Sequence, residues 1–66
     1  MELKINGEDR KISGLATLEE LLLDLGINKD IVAVELNKNI VKRMDYPETK
    51  LHENDSLEIV QIIGGG

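Results

Sequence analysis

The chain has 66 residues, no cysteine and a formal charge of −5 from 13 acidic and 8 basic side chains, so it holds one small core without disulfide support. Interspersed acidic charge, with Tyr46 as the only aromatic residue, argues against a nucleic-acid binder, which needs a basic face and stacking rings. No apolar run approaches the roughly 20 residues of a membrane span, and the opening "MELKINGEDR" lacks the basic-then-apolar order of a secretory leader, so a cytoplasmic protein with a core of Leu, Ile and Val is expected.

The first element is a hairpin. Asn6 and Gly7 both tolerate positive φ and stand between two short segments, which predicts strands at 2–6 and 8–12. Leu3 and Ile5 share one side of the first strand, Glu2 and Lys4 the other, so at least one face of the sheet is wet. After Gly14 the period changes. Thr17 and Glu20 form a T-x-x-E capping box, in which each side chain satisfies a backbone N–H left open by the first helical turn. Leu18, Leu21, Leu22 and Leu25 then fall at i, i+3, i+4 and i+7, an apolar stripe on a helix about 12 Å long that needs tertiary packing to persist. Gly26 is placed to end that helix in a left-handed conformation, with Ile27 as the apolar contact beyond it.

"DIVAVEL" predicts a strand, "NKN" a turn and "IVK" a brief partner strand. "RMDYPETKLHEND", polar and interrupted by Pro47, is expected to be a long surface connection with room for a short helical turn or an edge strand. The last strand spans about 56–63. It carries Leu57, Ile59 and Ile63 on one side and Val60 and Ile62 on the other, the pattern of an interior strand or of one whose outer face is kept for a partner. A helix crossing one face of a mixed sheet, with the last strand beside the first, satisfies the two-layer and right-handed crossover rules. That arrangement is the β-grasp.

A β-grasp body of this length, closing on an apolar strand and three glycines, resembles the sulfur carrier proteins, most closely the ThiS family of thiamine (thiazole) biosynthesis. The similarity runs along the whole chain, through the "NG" hairpin, "TLEELLLDLGI", "VAVELNKNIV" and "LHENDSLEIVQIIGGG". Asp55, Leu57, Glu58, Ile59, Ile62, Ile63, Gly64, Gly65 and Gly66 match the family's closing pattern. The resemblance implies an α+β fold over 1–66, a ubiquitin-like β-grasp whose mixed sheet of about four to five strands packs on one helix, with 64–66 as a flexible tail. It also implies a carrier and not an enzyme. Gly66 would be adenylated by an E1-like adenylyltransferase of the ThiF type and converted to a thiocarboxylate with sulfur from a cysteine desulfurase route. The product would be presented to a thiazole synthase of the ThiG type.

The chemistry is consistent with the residues themselves. A carboxylate is a poor electrophile until ATP converts it to an acyl adenylate, and no Gly-rich phosphate loop with Lys is present here, so ATP belongs to the activating partner and no bound cofactor is expected. Gly64, Gly65 and Gly66 lack Cβ atoms and can thread a narrow channel, reaching about 10 Å when extended. Ordering glycines costs roughly 1 to 2 kcal/mol per residue with little apolar area to offset it, so a folded body must dock first. Glu58, Val60, Ile62 and Ile63, beside the tail, are the candidate docking residues.

Other readings stay structural. His52 has no second His or Cys at ligand spacing, so no metal site is expected; Glu19 and Glu20 suit a helix N-terminus; Asn6 and Gly7 are turn residues; Asp55 belongs to the turn before the last strand. The alternatives for the whole chain are a molybdopterin synthase small subunit of the MoaD kind, a ubiquitin-like modifier that forms isopeptides, and an interaction module with an inert tail.

Overall fold

Asn6 (φ 51°) and Gly7 (φ 83°) both lie in the left-handed region and make the two-residue turn between β1 (Glu2–Ile5) and β2 (Glu8–Lys11). The computed structural model describes residues 1–62. Along β1, Leu3 and Ile5 are buried and Glu2 and Lys4 exposed, the alternation expected of a strand with one wet face. β2 is exposed along its length and forms one edge of the sheet.

The helix α1 (Leu18–Asp24) begins as its capping box dictates. The Glu20 N–H donates to Thr17 Oγ1 at 3.3 Å, while Glu20 Oε1 accepts from the N–H groups of Ala16 (2.7 Å) and Thr17 (3.0 Å). Those backbone donors favour the carboxylate and hold the Glu20 pKa below the usual glutamate range. The helix stops where Gly26 (φ 72°) takes a conformation that other residues resist. There the Gly26 N–H donates to the Leu23 carbonyl (3.1 Å) and the Ile27 N–H to that of Leu22 (2.9 Å), closing a Schellman motif. With only 7 residues, α1 depends on burying Leu18, Leu21 and Leu22 against the sheet.

β3 (Val32–Leu36) starts later than "DIVAVEL" suggests, because the Asn28 side chain accepts from the Asp30 N–H (2.9 Å) and bends Lys29–Ile31 into a 3-10 turn. Asn37 (φ 51°) and Lys38 (φ 72°) then form a second two-residue turn, leading into β4 (Asn39–Val41).

The segment expected to be a surface connection is partly core. Arg43–Glu48 forms a 3-10 helix that puts Tyr46 at 1% exposure, and Leu51 follows at 5%. Backbone bonds hold it to the start of α1: the Leu18 N–H donates to the Thr49 carbonyl (2.8 Å) and the Leu51 N–H to that of Ala16 (2.9 Å). Two apolar anchors among polar neighbours leave no periodic signal, and so the core contains an aromatic ring as well as Leu, Ile and Val.

β5 (Ser56–Gln61) completes a five-stranded mixed sheet in the order β2-β1-β5-β3-β4, parallel to β1 and antiparallel to β3. One face of the sheet meets α1 and Tyr46 in a single apolar cluster with Leu3, Ile5, Val34 and Leu57. The other face is open. This is the ubiquitin-like β-grasp, with β5 as the interior strand that the alternation along 56–63 predicts.

Candidate functional site

Strand β5 brings the chain towards its carboxyl-terminal residues, and three groups of contacts fix its course. At its start, the Asp55 carboxylate, itself buried, accepts from the Asn37 Nδ2 (2.9 Å) and the His52 N–H (2.7 Å). Asn37 binds the strand directly as well, accepting from the Ser56 N–H at its Oδ1 (2.9 Å) and donating its own N–H to the Ser56 carbonyl (2.7 Å). Asp55 is thus the turn residue expected, and it locks the β3–β4 turn to the start of β5. In the middle, β3 pairs with β5 from Leu36↔Leu57 to Val32↔Gln61. Beyond β1, the Asn6 side chain donates from Nδ2 to the Ile59 carbonyl (3.1 Å) and accepts from the Ile59 N–H (2.7 Å).

The outer face of the sheet carries the candidate docking residues. Leu57 points inward and Ile59 is half-buried, whereas Glu58, Val60 and Ile62 are exposed, Val60 at 56% and Ile62 at 61%. Across the β3–β5 ladder Val60 stands opposite Ala33 and Glu58 opposite Glu35; across β3–β4, Glu35 stands opposite Ile40, which is 76% exposed. The result is an open aliphatic surface with two carboxylates facing each other inside it. Ion pairs among the described residues involve Glu19, Asp30 and Asp55, and none involves Glu35 or Glu58. Ala33, Glu35 and Ile40 escaped the sequence reading. The alternation in "VAVEL" marks Ala33 and Glu35 as outward once Val32 and Val34 are inward, but placing Ile40 beside them needs the register set by the Asn37–Lys38 turn. The remaining predicted site residues, Ile63, Gly64, Gly65 and Gly66, lie outside the described residues.

The residues given a structural reading occupy structural positions. Glu19 pairs with Lys29 (2.9 Å), which raises the lysine pKa, an exposed contact of small energetic value. The His52 ring is exposed, with Nδ1 at 3.8 Å from Asp55. Among the described residues no group of His, Cys, Asp and Glu could hold a metal ion, and no helix is long and apolar enough to cross a membrane. On the helix side, an open groove is lined by Ile5, Ile27, Ile31 and Ile59 together with the polar Asn6, Asn28 and Gln61 and the charged Glu8 and Arg10.

The model of the ThiS family matches residues 3–66. The chain belongs to the ThiS family. Among relatives, the sulfur carrier protein ThiS of Bacillus subtilis is 38% identical over 65 residues, covering 97% of this chain and 98% of that one. A thiazole synthase of Paramagnetospirillum magneticum is 47% identical over 66 residues, and this chain spans 20% of its length. The crystal structure of a thiamine biosynthesis protein (ThiS) from Geobacter metallireducens superposes with a TM-score of 0.86 at 30% identity, and the match covers 100% of both chains. The ThiS resemblance and the β-grasp architecture expected from the sequence therefore both hold.

Proposed function

We propose that the chain is a sulfur carrier for thiazole formation in thiamine biosynthesis. The observation that carries this reading is the end-to-end match to a sulfur carrier of the same length, 97% of one chain on 98% of the other. The thiazole synthase relatives support the pathway, since a segment like this chain forms part of them. In this reading the carrier contributes a carboxyl group and a docking face and performs no catalysis of its own. A carboxylate oxygen of Gly66 attacks the α-phosphorus of ATP in an E1-like adenylyltransferase of the ThiF type, expelling pyrophosphate. A persulfide supplied through a cysteine desulfurase route then displaces AMP from the acyl carbon, and a thiol reductant cleaves the resulting S–S bond, itself ending in a disulfide, to leave the thiocarboxylate that a ThiG-type synthase consumes. These steps belong to the cytoplasm, where ATP and the desulfurase route are available.

Intact mass spectrometry after incubation with ATP, the activating enzyme and a sulfur source tests the reading. The expected product has gained the mass difference between sulfur and oxygen. Lysine-linked conjugates would instead identify a ubiquitin-like modifier, an unchanged mass an inert module, and transfer of the sulfur to a molybdopterin synthase partner a MoaD-like carrier.

Docking falls to Glu58, Val60, Ile62 and Ile63, together with Ala33, Glu35 and Ile40 from the neighbouring strands. Like charges directly opposite each other in a sheet are destabilising, so the Glu35–Glu58 pair weakens the fold on its own and suits a basic partner surface. Glu58→Lys should therefore separate two effects. The new cross-strand ion pair is expected to stabilise the fold by roughly 0.2–1 kcal/mol, while affinity for the activating enzyme falls about tenfold, or about 1.4 kcal/mol. Thermal unfolding beside titration calorimetry reads both, and undiminished affinity would remove Glu58 from the interface.

A further inference from the structure

We infer that Asn6 is a positioning residue for the carrier's reaction: its side-chain amide continues the β1 side of the sheet after β1 has ended, and so fixes the course of β5 as it leads to the reactive end. This rests on the reading of the chain as a carrier activated at Gly66.

The ladder geometry explains why an amide is needed there. Antiparallel pairs alternate between hydrogen-bonded and non-hydrogen-bonded. The Ile62 N–H donates to the Ile31 carbonyl at 2.8 Å, which brackets Val32↔Gln61 as a non-hydrogen-bonded pair. Two positions back, Val34↔Ile59 is of the same kind, so the N–H and C=O of Ile59 point away from β3 and towards β1. β1 does not reach that far. Its register with β5 ends at Ile5↔Leu57, the Asn6 N–H donates to the Leu57 carbonyl at 2.8 Å, and the chain then turns away through Asn6 and Gly7. Asn6 compensates with its side chain, accepting from the Ile59 N–H at 2.7 Å and donating to the Ile59 carbonyl at 3.1 Å. A primary amide offers the donor and acceptor that a straight continuation of β1 would have supplied.

The turn alone does not require asparagine. At φ 51° the position favours Gly, Asn or Asp. Gly has neither group and a carboxylate has no donor, so only Asn satisfies both the turn and Ile59. Through this contact β5 is held on both sides as far as Ile59, just before Val60 and Ile62 on the open face. With the amide gone, the β1 side would no longer hold Ile59. The contact is exposed, so water can take the place of the amide and the fold survives its loss.

The test uses the full chain with Asn6→Gly, which keeps the turn and removes the clamp, and Asn6→Asp, which keeps the turn and sets a carboxylate against the Ile59 carbonyl. Adenylation is followed by ATP–pyrophosphate exchange over a range of carrier concentrations, and exchange of the Ile59 amide hydrogen by NMR. Both variants are expected to lower kcat about tenfold, the scale of effect that a small displacement of a reacting group produces, with KM rising as well because Val60 and Ile62 follow directly. Ile59 exchange is expected to accelerate in Asn6→Gly, whereas in Asn6→Asp the carboxylate can still accept from the Ile59 N–H and repels only its carbonyl. A purely structural role would leave kcat of the folded protein untouched. In Asn6→Gly, accelerated exchange with unchanged kcat overturns the inference, as does unchanged exchange at Ile59. Failure of the wild-type chain to be adenylated overturns the carrier reading, and this inference with it.

Discussion

Replacing Gly66 with alanine is expected to slow adenylate formation by roughly 5- to 150-fold, the rate equivalent of about 1–3 kcal/mol of steric conflict. In the proposed reaction the terminal residue enters a channel in the activating enzyme that must admit the carboxylate and the α-phosphate of ATP together. A Cβ at that residue adds a methyl group at the most confined point and closes the backbone conformations that only glycine reaches. The folded body is untouched by the substitution, so the KM for the carrier should move little while kcat falls. ATP–pyrophosphate exchange with the wild-type and Gly66→Ala chains measures both. Equal kcat values would mean that activation takes place in an open site and that the glycine serves another purpose.

Tyr46→Ala is expected to leave much of the protein unfolded at room temperature. Truncating a large buried aromatic side chain costs about 3–5 kcal/mol, and the core of so short a chain supplies about the same in total. The ring is 1% exposed and joins the 3-10 helix at Arg43–Glu48 to the residues of α1 and the sheet, so no neighbouring element can collapse into the space without losing its own contacts. Far-ultraviolet circular dichroism against urea checks this; a midpoint close to that of the wild type would show that the site repacks. Burial also raises the hydroxyl pKa, only partly opposed by the Arg43 charge. The fold favours the neutral form, so its stability is complete below the ordinary tyrosine range and declines as pH rises through the raised value. Tyr46→Phe should abolish that alkaline decline.

Periodicity and turn chemistry made most of this architecture legible. The capping box at Thr17 and Glu20, the Gly26 stop and both left-handed turns are local signals, each decided by a few adjacent residues. The outward set on β5 was legible for the same reason, since a period of two assigns Glu58, Val60 and Ile62 once Leu57 is inside. What could not be read depends on distant residues meeting. Tyr46 and Leu51 look like a polar connection until the backbone of α1's first turn pairs with them, and Ile40 becomes a neighbour of Glu35 only through the hairpin register. Asn6 is the clearest case. Its left-handed φ accounts for the residue type so well that nothing in the sequence suggests a second task, performed on a residue 53 positions away.

The order of the strands bears on how the molecule comes into being. β5 lies between β1 and β3, yet it is translated after both, so the two halves of the sheet have no strand pairing between them until residues 56–61 leave the ribosome. A nascent chain halted before that point has neither a closed core nor the surface that an activating enzyme would grip. In the proposed function, emergence of β5 would thereby be a precondition for activation, and shorter nascent chains would not compete for the enzyme.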